Sequence, residues 1–219
     1  PILVIACTID SKDKVMPNIA RRLAARGVSA LSLLLAFTAP AAASTVQSFN
    51  NTGQITINAV GNATPYPSNI TVSGVPNTFT RLEVQLNGFT HTYPDDVDIL
   101  LVGPQGQRAI LMSDAGGRDP GVTGLTLSFA QTAANPIADV TALSSGLFRP
   151  ANYDPGTSDT FSTPGPGAIT DAPADLSVFT GINPNGSWNL LVVDDAIGDL
   201  GNISGGWRLS FTVPTVFTV

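Results

Sequence analysis

The chain has 219 residues, of which 43% are hydrophobic and only 12% are charged, and its formal net charge is −6. That length suits one domain with a sizeable core. From Ser44 onward there are five arginines, no lysine and 14 acidic residues, which makes a net charge of −9. Such a charge argues against nucleic acid or anionic membrane as a partner and suits divalent cations.

Residues 16–43 have the three parts of a secretory signal peptide in the usual order. Arginines 21, 22 and 26 form the positive start, and an apolar stretch at 27–37 follows that is too short to anchor in a bilayer. Small residues at 40–44 then provide a cleavage site after Ala43. We therefore predict a bacterial protein that is secreted, periplasmic or displayed on the cell surface, with no membrane span and a mature chain starting near Ser44.

Residues 1–15 precede this leader, and the sequence opens with Pro1 rather than methionine. We expect translation to start at Met16 and residues 1–15 to be upstream read-through or a fragment. The alternative is a lipoprotein attachment box, Val4-Ile5-Ala6-Cys7, but only six residues precede Cys7 and they contain no basic residue. The mature part has no cysteine, so packing or bound ions must supply its stability.

The mature part alternates short apolar runs with turn residues. Leu82, Val84 and Leu86 alternate with polar residues, which is the pattern of a strand with one buried face. In chain order the predicted strands are 54–60, 69–75, the run around 82–86, 97–102, 108–112, 125–129, 188–193 and 207–213. About eight strands without a helical period predict an all-β, antiparallel sandwich or jelly roll.

Residues 150–175 interrupt this rhythm with five prolines, too many for a helix or a central strand. We predict a long loop there. This loop either has a function of its own or is only a crossover between the sheets, made stiffer by its prolines.

Two blocks far apart in the sequence carry a family resemblance. The first contains His91-Thr92, the acidic turn 95–98, an apolar strand and Pro104-Gln105-Gly106; the second contains Gly186-Ser187-Trp188-Asn189-Leu190, Asp194, Asp199-Leu200-Gly201 and Trp207-Arg208-Leu209. Together they resemble the P domain, also called the homo B domain, that follows the subtilisin-like catalytic domain of proprotein convertases. The match covers roughly 79–213, with 44–78 as N-terminal strands and 214–219 as a tail. The resemblance implies a jelly-roll β-sandwich of the galactose-binding-like type.

The resemblance does not extend to a protease domain. A subtilisin triad needs serine, histidine and aspartate, whereas this chain has a single histidine, His91, and no Gly-x-Ser-x-Gly motif. We predict no enzymatic activity and a structural role for His91, although a P-domain resemblance can bring a serine endopeptidase label by association.

Aromatic residues divide into two groups by their surroundings. Trp188 and Trp207 each begin an alternating strand, which predicts core packing rather than stacking on sugars. Tyr66, Tyr93 and Tyr153 lie in proline-rich turns, so we predict that they are exposed, with Tyr93 and Tyr153 as candidates for a ligand surface.

The two acidic turns predict a calcium site. One apolar strand leaves the turn at 95–98 and another enters Asp194-Asp195, so antiparallel pairing would bring both turns to one end of the sandwich. We assign Asp96, Asp98 and Asp194 as ligands ahead of Asp95 and Asp195, with Asp199 as a turn former or further ligand. The alternative is that these aspartates only make Asx turns and cap loops.

Three functions remain open from the sequence. The first is a secreted, non-catalytic module that binds or stabilises an extracellular protein or polysaccharide. The second is an accessory or chaperone subunit of a secreted subtilisin-like serine protease, and the third is a cryptic hydrolase. A pair of hydrolytic carboxylates is disfavoured because several acids crowded into two turns suit a cation better.

Overall fold

The computed structural model describes residues 43–117, 120–153, 158–169 and 173–215. Residues 1–15, the predicted signal peptide apart from Ala43, and most of the C-terminal tail lie outside these ranges. Over the described residues the chain is all-β, with only two short 3-10 helices at Pro94–Asp96 and Leu176–Phe179. No helix in this part of the chain is both long and apolar enough to cross a bilayer.

The described residues form fifteen strands. They are β1 (Ser44–Asn51), β2 (Ile55–Ile57), β3 (Gly61–Asn62), β4 (Ser68–Val72), β5 (Arg81–His91), β6 (Val97–Val102), β7 (Arg108–Ser113), β8 (Val122–Phe129), β9 (Gly146–Phe148), β10 (Ala151–Asn152), β11 (Asp159–Phe161), β12 (Gly167–Ile169), β13 (Gly186–Asp194), β14 (Gly201–Ile203) and β15 (Trp207–Pro214). All eight predicted strands are present, as β2, β4 to β8, β13 and β15, and all except β6 have shifted ends.

The strands assemble into two main sheets and one hairpin. The first sheet has the order β1-β15-β5-β14-β2, with β8 also beside β5 and β9 beside β8. The second has the order β10-β7-β6-β13-β3, with β4 also beside β13, and β11 pairs only with β12. Neighbours are antiparallel except for the β7–β10 and β8–β9 pairs. The predicted all-β, largely antiparallel architecture is confirmed.

The core lies between the inner faces of the two sheets. Trp188 of the second sheet meets Phe211 of the first with ring centroids 5.8 Å apart. Both tryptophans are fully buried, as predicted. Their indole N–H groups remain paired, since Trp207 Nε1 donates to Ser68 Oγ at 3.0 Å and Trp188 Nε1 donates to the Pro184 carbonyl at 2.7 Å. Burial of these rings therefore leaves neither donor unsatisfied.

The second sheet is covered on both faces. Ile99 and Leu101 of β6 point into the main core, whereas Leu100 points outward and packs with Leu191 and Phe161 in a smaller cluster. Burial on both faces explains why β6 and β13 are continuous apolar runs rather than alternating ones. The outer cover comes from the β11–β12 hairpin.

The prediction of a structureless loop at 150–175 is therefore wrong over part of its length. This stretch contains β10, β11 and β12, and only residues 154–157 and 170–172 within it lie outside the described ranges. The strands have two or three residues each, so they fit between the prolines that ruled out a longer element.

Candidate metal centre

The two acidic turns lie at the same end of the second sheet. Strands β6 and β13 are antiparallel neighbours, with Val97 opposite Asp194 and Asp98 opposite Val193. Asp195 N–H also donates to the Asp96 carbonyl at 3.0 Å, which joins one turn to the other. The adjacency predicted from strand direction is confirmed.

Three aspartates, which we call the aspartate cluster, converge beside this junction. Asp98, Asp114 and Asp159 each offer one carboxylate oxygen, and the three oxygens lie within 4.8 Å of one another. Two ligands of one calcium ion, each about 2.4 Å from it, lie at most about 4.8 Å apart. The separation therefore fits a shared cation.

The strand pattern explains how residues so distant in sequence meet. Asp98 lies two residues before Leu100 on β6, and Asp159 lies two residues before Phe161 on β11, so each aspartate shares a face with an apolar neighbour. Leu100 and Phe161 pack together on the outer face of the second sheet. That packing places Asp159 over Asp98, while Asp114 follows β7, which pairs with β6.

Two members of the cluster, Asp98 and Asp159, are buried without an ion-pair partner among the described residues. Asp98 is 3% exposed and Asp159 is 6% exposed. Within the described ranges no arginine or histidine lies within 4.0 Å of either carboxylate. In the same part of the chain, Asp98 Oδ2 is buried and accepts no hydrogen bond. A buried carboxylate in this situation must keep its proton or gain a cation.

Burial and mutual repulsion raise the pKa values of these groups. Burial, followed by the charge of Asp159, raises the pKa of Asp98 to about 8, although the Ser113 hydroxyl acts in the opposite direction. Burial, followed by the charge of Asp114, raises the pKa of Asp159 to about 6. Asp195 contributes to both shifts, and burial also raises its own pKa. A cation that binds here would therefore compete with the proton on Asp98 near neutral pH.

These shifts predict how stability depends on pH when no cation is bound. A carboxyl with a raised pKa in the folded state holds a proton that the unfolded chain has already released, so stability falls as pH rises. In calcium-free buffer we expect the free energy of unfolding, measured by urea denaturation, to fall between about pH 4 and about pH 8. Asp98→Asn should flatten the upper part of this fall, and a profile that rises over the window would contradict the assignment.

Neighbouring polar groups complete the surroundings of the cluster. Asn152 Nδ2 donates to Asp159 Oδ2 at 3.1 Å, and the Oδ1 atom of the same amide is buried without a hydrogen-bond partner among the described residues. Ser113 Oγ donates to Asp114 Oδ2 at 3.0 Å. Asp114 has a φ of 50°, in the left-handed region that aspartate tolerates better than most residues. Amide oxygens are also calcium ligands, so Asn152 is a further candidate.

Of the sequence-predicted ligands, only Asp98 belongs to the cluster. Asp194 Oδ1 accepts from Ala196 N–H at 3.1 Å, and Asp199 Oδ1 accepts from Thr92 Oγ1 at 2.7 Å. Asp96 lies with Asp95 in the 3-10 helix Pro94–Asp96, not on the extended strand that carries Asp98. Asp195 has an exposed side chain, and its negative charge is close enough to help raise the pKa of Asp98.

Asp194 instead joins His91 in a buried pair between the two sheets. His91 ends β5 of the first sheet, Asp194 ends β13 of the second, and both side chains are 0% exposed. His91 Nε2 lies 3.1 Å from Asp194 Oδ2, in an arrangement bent away from an ideal hydrogen bond. His91 Nδ1 is within hydrogen-bond distance of both Tyr93 N–H, at 3.2 Å, and the Tyr93 carbonyl, at 2.8 Å. This pair connects the sheets at the acidic end.

The predicted exposure of the three tyrosines is not observed. Tyr66, Tyr93 and Tyr153 are all half-buried. Tyr66 OH donates to the Ser162 carbonyl at 3.2 Å, and Tyr153 OH donates to the Ile137 carbonyl. Their turns fold back onto the sandwich, and the hydroxyl groups of Tyr66 and Tyr153 are used in hydrogen bonds within the protein.

Comparison with known proteins adds little to this geometry. No protein-family model and no curated protein matches the chain. Among solved structures it is similar to a chain from the crystal structure of Aeromonas sobria serine protease in complex with the chaperone ORF2, with 20% identity and a TM-score of 0.37. The similarity covers 81% of this chain but only 28% of that one. A likeness at this level assigns no family, activity or partner.

Proposed function

We propose that this chain is an exported, non-catalytic β-sandwich module whose fold is stabilised by calcium at the aspartate cluster and which binds an extracellular partner. The observation that carries the proposal is that Asp98 converges with two further aspartates and has a buried carboxylate oxygen, Oδ2, with no hydrogen-bond partner among the described residues. A bound divalent cation would satisfy this oxygen and neutralise the cluster.

Calcium suits the donor set better than other common metal ions. Among the described residues the cluster offers carboxylate oxygens and one nearby amide oxygen, and no histidine or cysteine belongs to it. Zinc and copper favour histidine or cysteine, and magnesium demands a tighter octahedral shell with several waters. Calcium accepts six to eight oxygens in an irregular arrangement, so water and backbone carbonyls can complete its shell.

A non-catalytic role is supported by the position of the single histidine. His91 is fully buried, and its ring nitrogens face Asp194 and the Tyr93 backbone, so it offers no side to a substrate. The P-domain motifs also contribute to the framework: Trp188 and Trp207 fill the core, and a Cβ at Gly201 would lie 2.5 Å from His91 Cδ2. The motif resemblance therefore supports the fold and keeps a secreted subtilisin-like protease as a candidate partner.

Calorimetric titration tests the proposed site directly. We expect one calcium ion to bind per chain and magnesium to bind more weakly. Asp98→Asn should abolish the heat of binding, whereas Asp95→Asn, a change on the neighbouring 3-10 helix, should preserve it. Equal titrations for the wild type and Asp98→Asn would place any calcium elsewhere.

Export predicts a defined N-terminus. Strand β1 begins at Ser44 and pairs with β15 along its whole length, from Ser44 opposite Pro214 to Asn51 opposite Trp207. Cleavage after Ala43 would leave this strand intact while removing the leader. We expect the intact mass of exported protein to correspond to a chain starting at Ser44, and retention of Arg21 to Arg26 in that material would contradict the prediction.

A further inference from the structure

A second site lies on the outer face of the second sheet, away from the aspartate cluster. A pocket of about 320 Å³ is lined by Val102, Arg108, Asn189 and Leu191, with the proline-rich turn at 164–166 opposite them. Its walls are predominantly apolar, and its volume is within the range of about 300–1,000 Å³ that small ligands occupy. We propose that this pocket binds the C-terminal end of an extended peptide whose last residue is apolar and carries a free carboxylate.

Arg108 supplies the charge for this recognition. Its side chain is exposed at the pocket, and no acidic group within the described ranges lies within 4.0 Å of its guanidinium. A guanidinium pairs with a carboxylate through two parallel hydrogen bonds, so an incoming carboxylate fits it well.

Asn189 supplies an adjacent polar group. Its Oδ1 accepts from Asn69 Nδ2 and from Ser187 Oγ. The Nδ2 group of Asn189 itself has no hydrogen-bond partner among the described residues. Asn189 lies opposite Val102 on the neighbouring strand, so this amide is held at the pocket by the sheet itself. It can donate to a peptide carbonyl while Arg108 takes the terminal carboxylate.

The surrounding chemistry selects one carboxylate rather than an acidic segment. The net charge of −9 for the mature chain repels ligands with several negative charges. Leu191 and Val102 instead favour an apolar side chain beside the carboxylate. A chain ending in an apolar residue meets both conditions, because its single terminal charge lies next to its last side chain.

The rear of the pocket is rigid. Gly165 packs so closely that a Cβ there would lie 2.8 Å from Leu191 Cδ2 and 2.6 Å from the Phe161 carbonyl oxygen. The 164–166 turn therefore rests directly on the sheet and forms a preformed wall, which lowers the entropic cost of binding.

Fluorescence polarisation with a labelled hexapeptide, Gly-Ser-Gly-Ser-Ala-Leu, tests this site on the mature protein. We expect saturable binding of the free acid below 1 mM, and at least tenfold weaker binding of the C-terminal amide and of a peptide ending in serine. Arg108→Gln should weaken binding at least tenfold, whereas Arg149→Gln, which removes the same charge outside the pocket, should not. N-acetyl-leucine tests whether a single residue is enough for binding. If it competes as strongly as the unlabelled hexapeptide, the ligand is a small carboxylic acid and the peptide proposal is wrong.

Equal binding of acid and amide, no effect of Arg108→Gln, or no binding at all would overturn the proposal. Because Arg108 is exposed, its substitution is not expected to unfold the protein, and circular dichroism checks this. The inference adds a partner class to the proposed function through a separate site. Failure here therefore leaves the calcium titration unaffected, and measuring polarisation with calcium and with chelator keeps the two outcomes apart.

Discussion

Saturating calcium should raise the melting temperature of the mature protein by roughly 5 to 11 °C over the same protein in excess chelator. A ligand that binds only the folded state stabilises it by about 2.7 kcal/mol at a hundred times its dissociation constant. For a domain of about 175 residues, each kcal/mol moves the midpoint by about 2–4 °C. Calcium is expected to bind only the folded state, because Asp98, Asp114 and Asp159 come from three separate parts of the chain and meet only in the fold.

The sign of the Asp98→Asn effect separates a metal centre from a set of turn-forming aspartates. At pH 8 in chelator, Asp98→Asn should raise the melting temperature, because it removes a buried carboxylate with a pKa of about 8 that repels its neighbours. In calcium the same variant should melt below the wild type, because the ion loses a ligand. Asp95→Asn is the matched control and should follow the wild type in both buffers. An identical midpoint for the wild type with and without calcium would discard the site.

The eight strands predicted from sequence were found because each carries several apolar residues with a clear period or an unbroken run. The seven that were missed are short or polar. Strand β1 has eight residues but buries little beyond Phe49, since it lies at the edge of the first sheet. Strands β10 to β12 have two or three residues each and lie among prolines. A periodicity argument needs more residues than these strands contain.

The candidate site was predictable in its position and only partly in its residues. Strand direction placed both acidic turns at one end of the second sheet, and Asp98 is the one residue predicted as a ligand from the sequence that lies in the aspartate cluster of the described residues. Asp114 could have been found too, since β6 and β7 are consecutive antiparallel strands and the end of β7 must approach the start of β6. Asp159 could not, because its position depends on the packing of Phe161 against Leu100 across a fold-specific hairpin.

Asp194 was assigned as a metal ligand from strand direction alone, and its buried partner, His91, could not be identified from the sequence. His91 and Asp194 are 103 positions apart and belong to different sheets, so no spacing rule connects them. Burial raises the pKa of Asp194, and the nearby His91 acts in the opposite direction. From the sequence alone, an aspartate in such a structural pair cannot be distinguished from an aspartate that binds a metal ion.

Breaking this pair should cost more stability than any surface change at the acidic end. Removing one partner of a buried ion pair typically costs about 3–5 kcal/mol, because the other partner stays buried without compensation. We expect His91→Ala to lower the free energy of unfolding by about that amount in urea denaturation. Asp194→Asn should cost less, since the amide keeps the shape and its Oδ1 can still accept from Ala196 N–H, while its Nδ2 takes the place of the oxygen that faces His91 Nε2.

The double variant His91→Ala/Asp194→Asn provides the decisive comparison. It should be no less stable than His91→Ala alone, because the second change removes the carboxylate that the first left uncompensated. Asp199→Asn, which alters only the more exposed contact to Thr92, is the control and should cost under about 1.5 kcal/mol. The losses should be the same in calcium and in chelator. If Asp194→Asn destabilises the protein only when calcium is present, Asp194 is a metal ligand as the sequence predicted, and the inter-sheet pair is not its main role.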